Sequence, residues 1–260
     1  MSILQQIVKG IQKDLVLKKE IVPIDSLESS PLFERRTNSL SQRIIETEGI
    51  IAEHKRRSPS KPNINFDLRL ADVAQGYESA GVAGMSVLTN SQYFGGSLED
   101  LILARQACEL PLLRKEFIID EYQVLEAKAN GADAILLIAA CLEKHDIQTL
   151  SALAQQLEME VLLEVHNANE LKKSIMPSID MIGVNNRDLT SFRVSLETSK
   201  SLADQIPTEF LKLSESGLSS PESVLELRDC GYQGFLMGEH FMKTDNPGVS
   251  VQHFIKSLSK

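Results

Sequence analysis

The sequence predicts an α/β protein, a (β/α)8 barrel in one domain, on three observations. Short apolar runs recur roughly every 26 residues, the length of one strand–helix unit. The runs are continuous rather than alternating, as parallel strands covered on both faces require. The chain has 260 residues, close to the ~250 typical of such a barrel. A doubly wound open sheet is the competing fold, but its Gly-rich phosphate turn, GxGxxG, is absent.

Strands are expected to begin near Ile50, Gly84, Pro111, Ala134, Glu160, Met181, Phe210 and Gly234. Between them, Asp67 to Ala80, Glu121 to Asn130 and Pro221 to Cys230 read as helices stopped by Gly81, Gly131 and Gly231. Glycine past a helix end enters the left-handed conformation without a Cβ clash. Ser220 reads as an N-cap, with Pro221 at the first helical position. Ile3 to Lys19 and Pro31 to Ile44 read as helices of an N-terminal extension, residues 1–45, packed on a barrel of residues 46–260. The extension is not expected to form a domain of its own.

Composition narrows the function classes. Hydrophobic residues make up 42 % and charged residues 24 %, which is ordinary globular usage. A net charge of −9, from 27 Lys and Arg against 36 Asp and Glu, argues against a nucleic-acid partner, which needs a broad basic face. The longest apolar run, Ala134 to Leu142, falls far short of the about 20 residues that cross a bilayer, so no membrane partner is expected. The start lacks the basic and apolar regions of a secretory signal. Cys108, Cys141 and Cys230 are scattered and odd in number, as expected of buried, reduced residues in a cytoplasmic protein. Five histidines form no HExxH or other ligand spacing, so no metal is expected.

Polar residues mark the strand ends. Glu53 and Lys55 end the first strand, Lys115 the third and Glu164 the fifth. Asn185 and Arg187 end the sixth, Glu215 and Ser216 the seventh, Gly238 and Glu239 the eighth. Barrel sites sit at the C-terminal ends of the strands. Isolated buried charges are costly, so charges converging on one mouth must pair, neutralise or act, and their pKa values become tunable. Taken singly, each has a plainer reading. Lys115 fits an alternating edge strand, Glu164 a capping or salt-bridge carboxylate, and neighbouring His166 a packed, hydrogen-bonded histidine. Ser214 to Leu218 and Phe235 to Glu239 form a second constellation. Small residues in the loops after strands seven and eight let backbone N–H groups face a phosphate.

These residues lie within a longer set of motifs, beginning with Ile50-Ile-Ala-Glu-His-Lys-Arg-Arg-Ser-Pro-Ser60 and Ser86-Val-Leu-Thr89. Tyr93-Phe-Gly-Gly-Ser97, Leu113-Arg-Lys-Glu-Phe117 and Gly131-Ala-Asp-Ala-Ile-Leu-Leu-Ile138 follow. Leu163-Glu-Val-His166, Ile182-Gly-Val-Asn-Asn-Arg-Asp-Leu189 and Ser214-Glu-Ser-Gly217 continue the series to Gly238-Glu239. In this order the chain resembles the indole-3-glycerol phosphate synthase family of tryptophan biosynthesis over nearly its whole length. The resemblance implies ring closure, with loss of CO2 and water, of 1-(2-carboxyphenylamino)-1-deoxyribulose 5-phosphate. It implies Lys115 as general acid, Glu164 as acid/base carboxylate, Lys55 as a substrate-gripping lysine and Glu53 as the carboxylate that holds one of these two ammonium groups. Asn185, Arg187 and Glu215 map to substrate-positioning residues. Ser58, Ser216, Gly217, Gly238 and Glu239 map to anion-binding positions, the last chiefly through its backbone. No cofactor is implied, because the substrate carries its own electron sink, and a monomer is expected.

His54, Glu116 and Asn90 depart from the family pattern, which has an apolar residue, Asp and an acid there. Strand alternation directs His54 away from the barrel interior if Glu53 and Lys55 point inward. The alternative readings are another phosphate-binding barrel enzyme, such as phosphoribosylanthranilate isomerase, and a non-catalytic scaffold. The first lacks its strand-end cysteine here, and the second has no need of Lys55, Lys115 and Glu164.

Overall fold

A computed structural model describes residues 3–189 and 191–258. Eight parallel strands close into a barrel in sequence order: β1 (Ile50–His54), β2 (Gly84–Leu88), β3 (Leu112–Lys115), β4 (Ala134–Ile138), β5 (Glu160–Val165), β6 (Met181–Asn185), β7 (Leu211–Glu215) and β8 (Gly234–Met237), with β8 pairing back onto β1. The extension holds helices α1 (Ile3–Ile21), α2 (Ile24–Glu28) and α3 (Leu40–Glu46). The outer layer comprises α4 (Leu70–Ala80), α5 (Ser91–Phe94), α6 (Leu98–Ala107), α7 (Glu121–Ala129), α8 (Lys144–Gln156), α9 (Ala168–Ser174), α10 (Glu197–Leu202), α11 (Pro221–Asp229), α12 (Glu239–Met242) and α13 (Pro247–Leu258). No helix among the described residues is long and apolar enough to cross a membrane.

The strand pattern divides the core in two. Ile50, Ala52, Met85, Val87, Leu112, Ile135, Leu137, Val161 and Leu163 face the helices. Their sequence neighbours Ile51, Leu113, Ala134, Leu136, Leu162, Met181, Leu213 and Leu236 fill the barrel interior. Both faces are apolar, which is why the runs read as continuous. His54 follows the outward series, as alternation demands. A closed barrel has no edge, so the edge-strand reading of Lys115 is lost.

The extension corrects one expectation. Residues 31–39 are turns and extended chain, and helix begins only at Leu40. Tertiary acceptors take this segment's donors. Arg35 Nη2 and the Asn38 amide donate to Asp133 Oδ1 at 2.5 and 2.7 Å, and Ser39 and Ser41 donate to Glu160. Ser39 caps α3 through the Gln42 amide. Leu40 and Ile44 then plug the N-terminal end of the interior, each worth about 1.5–3 kcal/mol by burial. A second correction concerns the cysteines: Cys108 is buried, whereas Cys141 and Cys230 are half-buried.

Candidate active site

Layering follows from the barrel geometry. Side chains at one level come from alternate strands, and the uppermost inward level of β1, β3, β5 and β7 carries Glu53, Lys115, Glu164 and Glu215. Two residues below stand Ile51, Leu113, Leu162 and Leu213. One ammonium therefore meets three carboxylates: Lys115 Nζ lies 3.3 Å from Glu215, 3.6 Å from Glu164 and 4.0 Å from Glu53. Two glycines make room for this ring. A methyl group on Gly183 would reach within 2.5 Å of Glu215 Oε1, and one on Gly238 within 2.9 Å of the Glu53 side chain. Gly183 escaped the sequence reading because its partner lies on another strand.

Each charge is set by its neighbours. Burial pulls the Lys115 ammonium down, but Glu215, Glu164 and Glu53 more than offset this and hold it well above the ordinary lysine range. Burial pushes Glu53 up, yet Lys55 and Lys115, with hydrogen bonds from Lys55 and Ser86, bring it net below its usual value. Lys55 Nζ donates to Glu53 Oε1 at 2.7 Å, and Ser86 to Oε2 at 3.1 Å. Glu215 goes the other way. Burial pushes it up, the Lys115 attraction is outweighed with help from Glu164 and Glu53, and it reaches about 7. Glu215 Oε1 is buried without a hydrogen-bond partner.

Above the ring lies a cavity of about 150 Å³ lined by Lys55, Ser58, Lys115, Glu164, Asn185, Arg187 and apolar side chains including Phe94, Phe117 and Leu136. The apolar lining suits an aromatic guest. Beside it, a pocket of about 240 Å³ is lined by Arg187, Ser216, Gly217, Gly238 and Glu239, and also by Lys243. Ser216 and Gly217 both adopt positive φ, 65° and 79°. The strained serine is held by Asn186, whose Nδ2 donates to the Ser216, Glu215 and Ser214 oxygens, while its Oδ1 accepts from Ser199. Asn185 Oδ1 accepts the Arg187 amide, fixing the start of that loop.

The loop after β1 folds over the mouth. Its Arg56 forks onto Asp100, Ser58 pairs with Lys61 across a turn, and Lys61 pairs with the Glu239 carboxylate. With that carboxylate engaged, Glu239 has its backbone to offer the pocket. All twelve residues singled out from the sequence therefore gather at the C-terminal mouth. Phe94, Phe117, Asn186 and Lys243 were missed, the aromatic pair because an apolar residue in a one-turn helix or a loop carries no periodic signal. Two family departures meet: Asn90 Nδ2 donates to Glu116 Oε1 at 3.1 Å, where a second acid would repel.

The chain is similar to known proteins over most of its length. The family model described as Indole-3-glycerol phosphate synthase matches residues 4–256. The Indole-3-glycerol phosphate synthase of Bacteroides thetaiotaomicron is 44 % identical over 258 residues, covering 99 % of each chain. That of Polaromonas naphthalenivorans is 49 % identical over 202 residues, covering 78 % of this chain and 77 % of its own. Among solved structures, 3-hexulose-6-phosphate synthase from Salmonella typhimurium aligns with a TM-score of 0.64 at 10 % identity, over 81 % of this chain and 98 % of that one. At that identity the likeness concerns the fold alone.

Proposed function

The chain belongs to the indole-3-glycerol phosphate synthase family, and on that premise we propose that its mouth closes the indole ring of 1-(2-carboxyphenylamino)-1-deoxyribulose 5-phosphate. The observation that carries the assignment of roles is the ammonium of Lys115 at the centre of three carboxylates, between an apolar cavity and an anion pocket. The phosphate enters the pocket of Ser216, Gly217, Gly238 and the Glu239 backbone. The carboxyphenyl ring enters the apolar cavity, with Lys55 and Arg187 offsetting the substrate's anionic groups and Asn185 and Ser58 orienting it.

The aromatic carbon bearing the carboxylate attacks the ribulose carbonyl, and negative charge grows on that oxygen. Lys115 meets it as a fixed cation, and an alkoxide is basic enough to take an ammonium proton. The carboxylate then leaves as CO2, restoring the aromatic ring. Glu164 serves the remaining proton transfers, protonating the departing hydroxyl and removing the proton whose loss completes the indole. Glu53 holds Lys55 in place, and Glu215 holds Lys115. The reaction as written is that of a carboxy-lyase and draws its electron sink from the substrate.

Neither alternative finds support at the mouth. A Cys–Asp isomerase needs a reactive thiol there. Instead Cys141 lies behind Glu164, pushed up to about 12 by burial and by Glu164 and Glu170, and thiols in that state are inert. A scaffold has no use for the carboxylate–ammonium ring. The test is to mix the purified protein with the carboxyphenylamino sugar phosphate and follow indole fluorescence. The chain has no Trp, so the background is low. Indole emission with release of one CO2 per turnover is the expected result, and its absence at high enzyme concentration overturns the reading.

A further inference from the structure

His166 stands two residues beyond Glu164 and on the same side of the strand, and no step above uses it. Its Nε2 lies 3.3 Å from Glu164 Oε1, off the hydrogen-bonding line, and this buried nitrogen has no hydrogen-bond partner. Its Nδ1 lies 3.1 Å from Glu170 Oε2. Glu170 is itself clamped. Oε2 accepts the His166 amide at 2.8 Å, Oε1 accepts Asn167 Nδ2 at 2.7 Å, and Asn167 caps α9 through the Asn169 and Glu170 amides. Burial pushes the Glu170 carboxyl up, but the His166 and Asn167 contacts outweigh it and leave the group net below its usual value. An ionised carboxylate only accepts, so Glu170 assigns a proton to Nδ1. Nε2 then faces Glu164 in one of two ways: a lone pair toward a protonated acid, or an N–H toward a carboxylate.

We propose that His166 is the proton store of Glu164. One proton passes between Glu164 Oε1 and His166 Nε2, so that carboxylic acid plus imidazole becomes carboxylate plus imidazolium, with atoms and charge conserved. Side-chain exposure rises from 4 % at Glu164 to 10 % at His166 and 16 % at Glu170, so the store opens toward solvent and away from the substrate. This rests on the reading above that Glu164 exchanges protons during dehydration, and it supplies the protonated acid with which that dehydration begins. His166 touches no substrate; it is a positioning residue acting through Glu164. The titratable groups facing it are Glu164, Glu170 and, across the mouth, Glu215. Cys141 and Lys173 lie behind this group, and Lys115 lies beyond Glu164. Burial pulls the imidazole down, but the Glu170 hydrogen bond and the three carboxylates more than compensate, and the net direction is up.

Three variants, His166→Gln, His166→Ala and Glu170→Gln, test the store against the pH profile. His166→Gln keeps a hydrogen-bonding side chain but cannot hold a proton. We expect its KM within about twofold of the parent and its kcat down roughly 100-fold, the lower end of what positioned proton transfer contributes. The acid limb of kcat moves to higher pH in both His166 variants, because Glu164 loses a neighbouring cation, and moves less in Glu170→Gln. A His166→Gln enzyme with parental kcat and limb overturns the proposal. So does a loss of activity in which the limb stays put and only the melting temperature falls. A readout independent of turnover is the ¹⁵N titration of the His166 ring. Its midpoint is expected above the ordinary 6.5 and lower in Glu164→Gln, and a midpoint unmoved by Glu164→Gln refutes the pairing. Failure of the parent to close the ring counts against the function instead, while the ring titration still judges the pair.

Discussion

The two ends of the barrel both bury carboxylates, and they treat them oppositely. At the N-terminal end, Asp133 is fully buried and every oxygen is met. Oδ1 accepts from Arg35 and the Asn38 amide, and Oδ2 from Arg105 at 2.9 Å and the Leu112 amide at 2.8 Å. Glu160 is likewise satisfied by Ser39 and Ser41. At the C-terminal end, three carboxylates share Lys115, Glu215 Oε1 and His166 Nε2 lack hydrogen-bond partners, and two pockets stand above them. A satisfied buried charge locks structure, whereas an unsatisfied one is held ready for a ligand at a cost in stability. Charge and burial alone do not separate the two ends. Among the carboxylate oxygens, the unpartnered Glu215 Oε1 does, although Arg35 Nε at the N-terminal end also lacks a partner.

The comparison breaks if substitutions at the two ends have like effects. Lys115→Ala is expected to lower turnover by roughly three powers of ten or more while the protein stays folded at pH 7, its carboxylates taking up protons. Ring-closure rates and the melting temperature together check it, and near-parental turnover removes Lys115 from its role. Asp133→Ala is expected to do the reverse. It strands Arg35 and Arg105, costing about 3–5 kcal/mol of stability in a denaturant titration, with kcat per folded molecule close to the parent's. Ser216→Asp places a carboxylate against the phosphate and should raise KM roughly tenfold or more, about 1.4 kcal/mol or above, with little change in melting temperature. An unchanged KM places the phosphate elsewhere.

A pH dependence sharpens the comparison. Glu215 is raised in the fold from the ordinary 4.5 to about 7, so between those values the folded state binds more protons than the unfolded one. Its contribution to stability is complete below about 4.5 and is lost as pH rises through about 7. Glu215→Gln cannot ionise, so its stability relative to the parent should grow between pH 5 and 8, at up to ~1.4 kcal/mol per pH unit. A difference independent of pH contradicts the raised value.

Much of this was legible in the chain. The period of the apolar runs gave the barrel, and Gly81, Gly131 and Gly231 indeed take positive φ just past α4, α7 and α11. Strand-end position gave ten of the twelve mouth residues, because a parallel barrel forces every strand's C-terminal end to the same rim; Gly217 came from the loop after strand seven and Ser58 from the family resemblance alone. The stretch from Pro31 to Ser39 misled, since its helix-like composition was overridden by acceptors on Asp133 and Glu160, far away in sequence.

What the sequence determined by itself was local and periodic: where strands start, which residues alternate inward, and which polar groups end each strand. Those follow from backbone sterics and from the strand's period of two. What only the tertiary structure decided was which of those groups meet. The grouping of Glu53, Lys115, Glu164 and Glu215, the space yielded by Gly183 and Gly238, and the Glu164–His166–Glu170 line all depend on closure of the sheet. Closure sets the relative level of strands tens of residues apart, and Coulomb energy and desolvation act on distance through space.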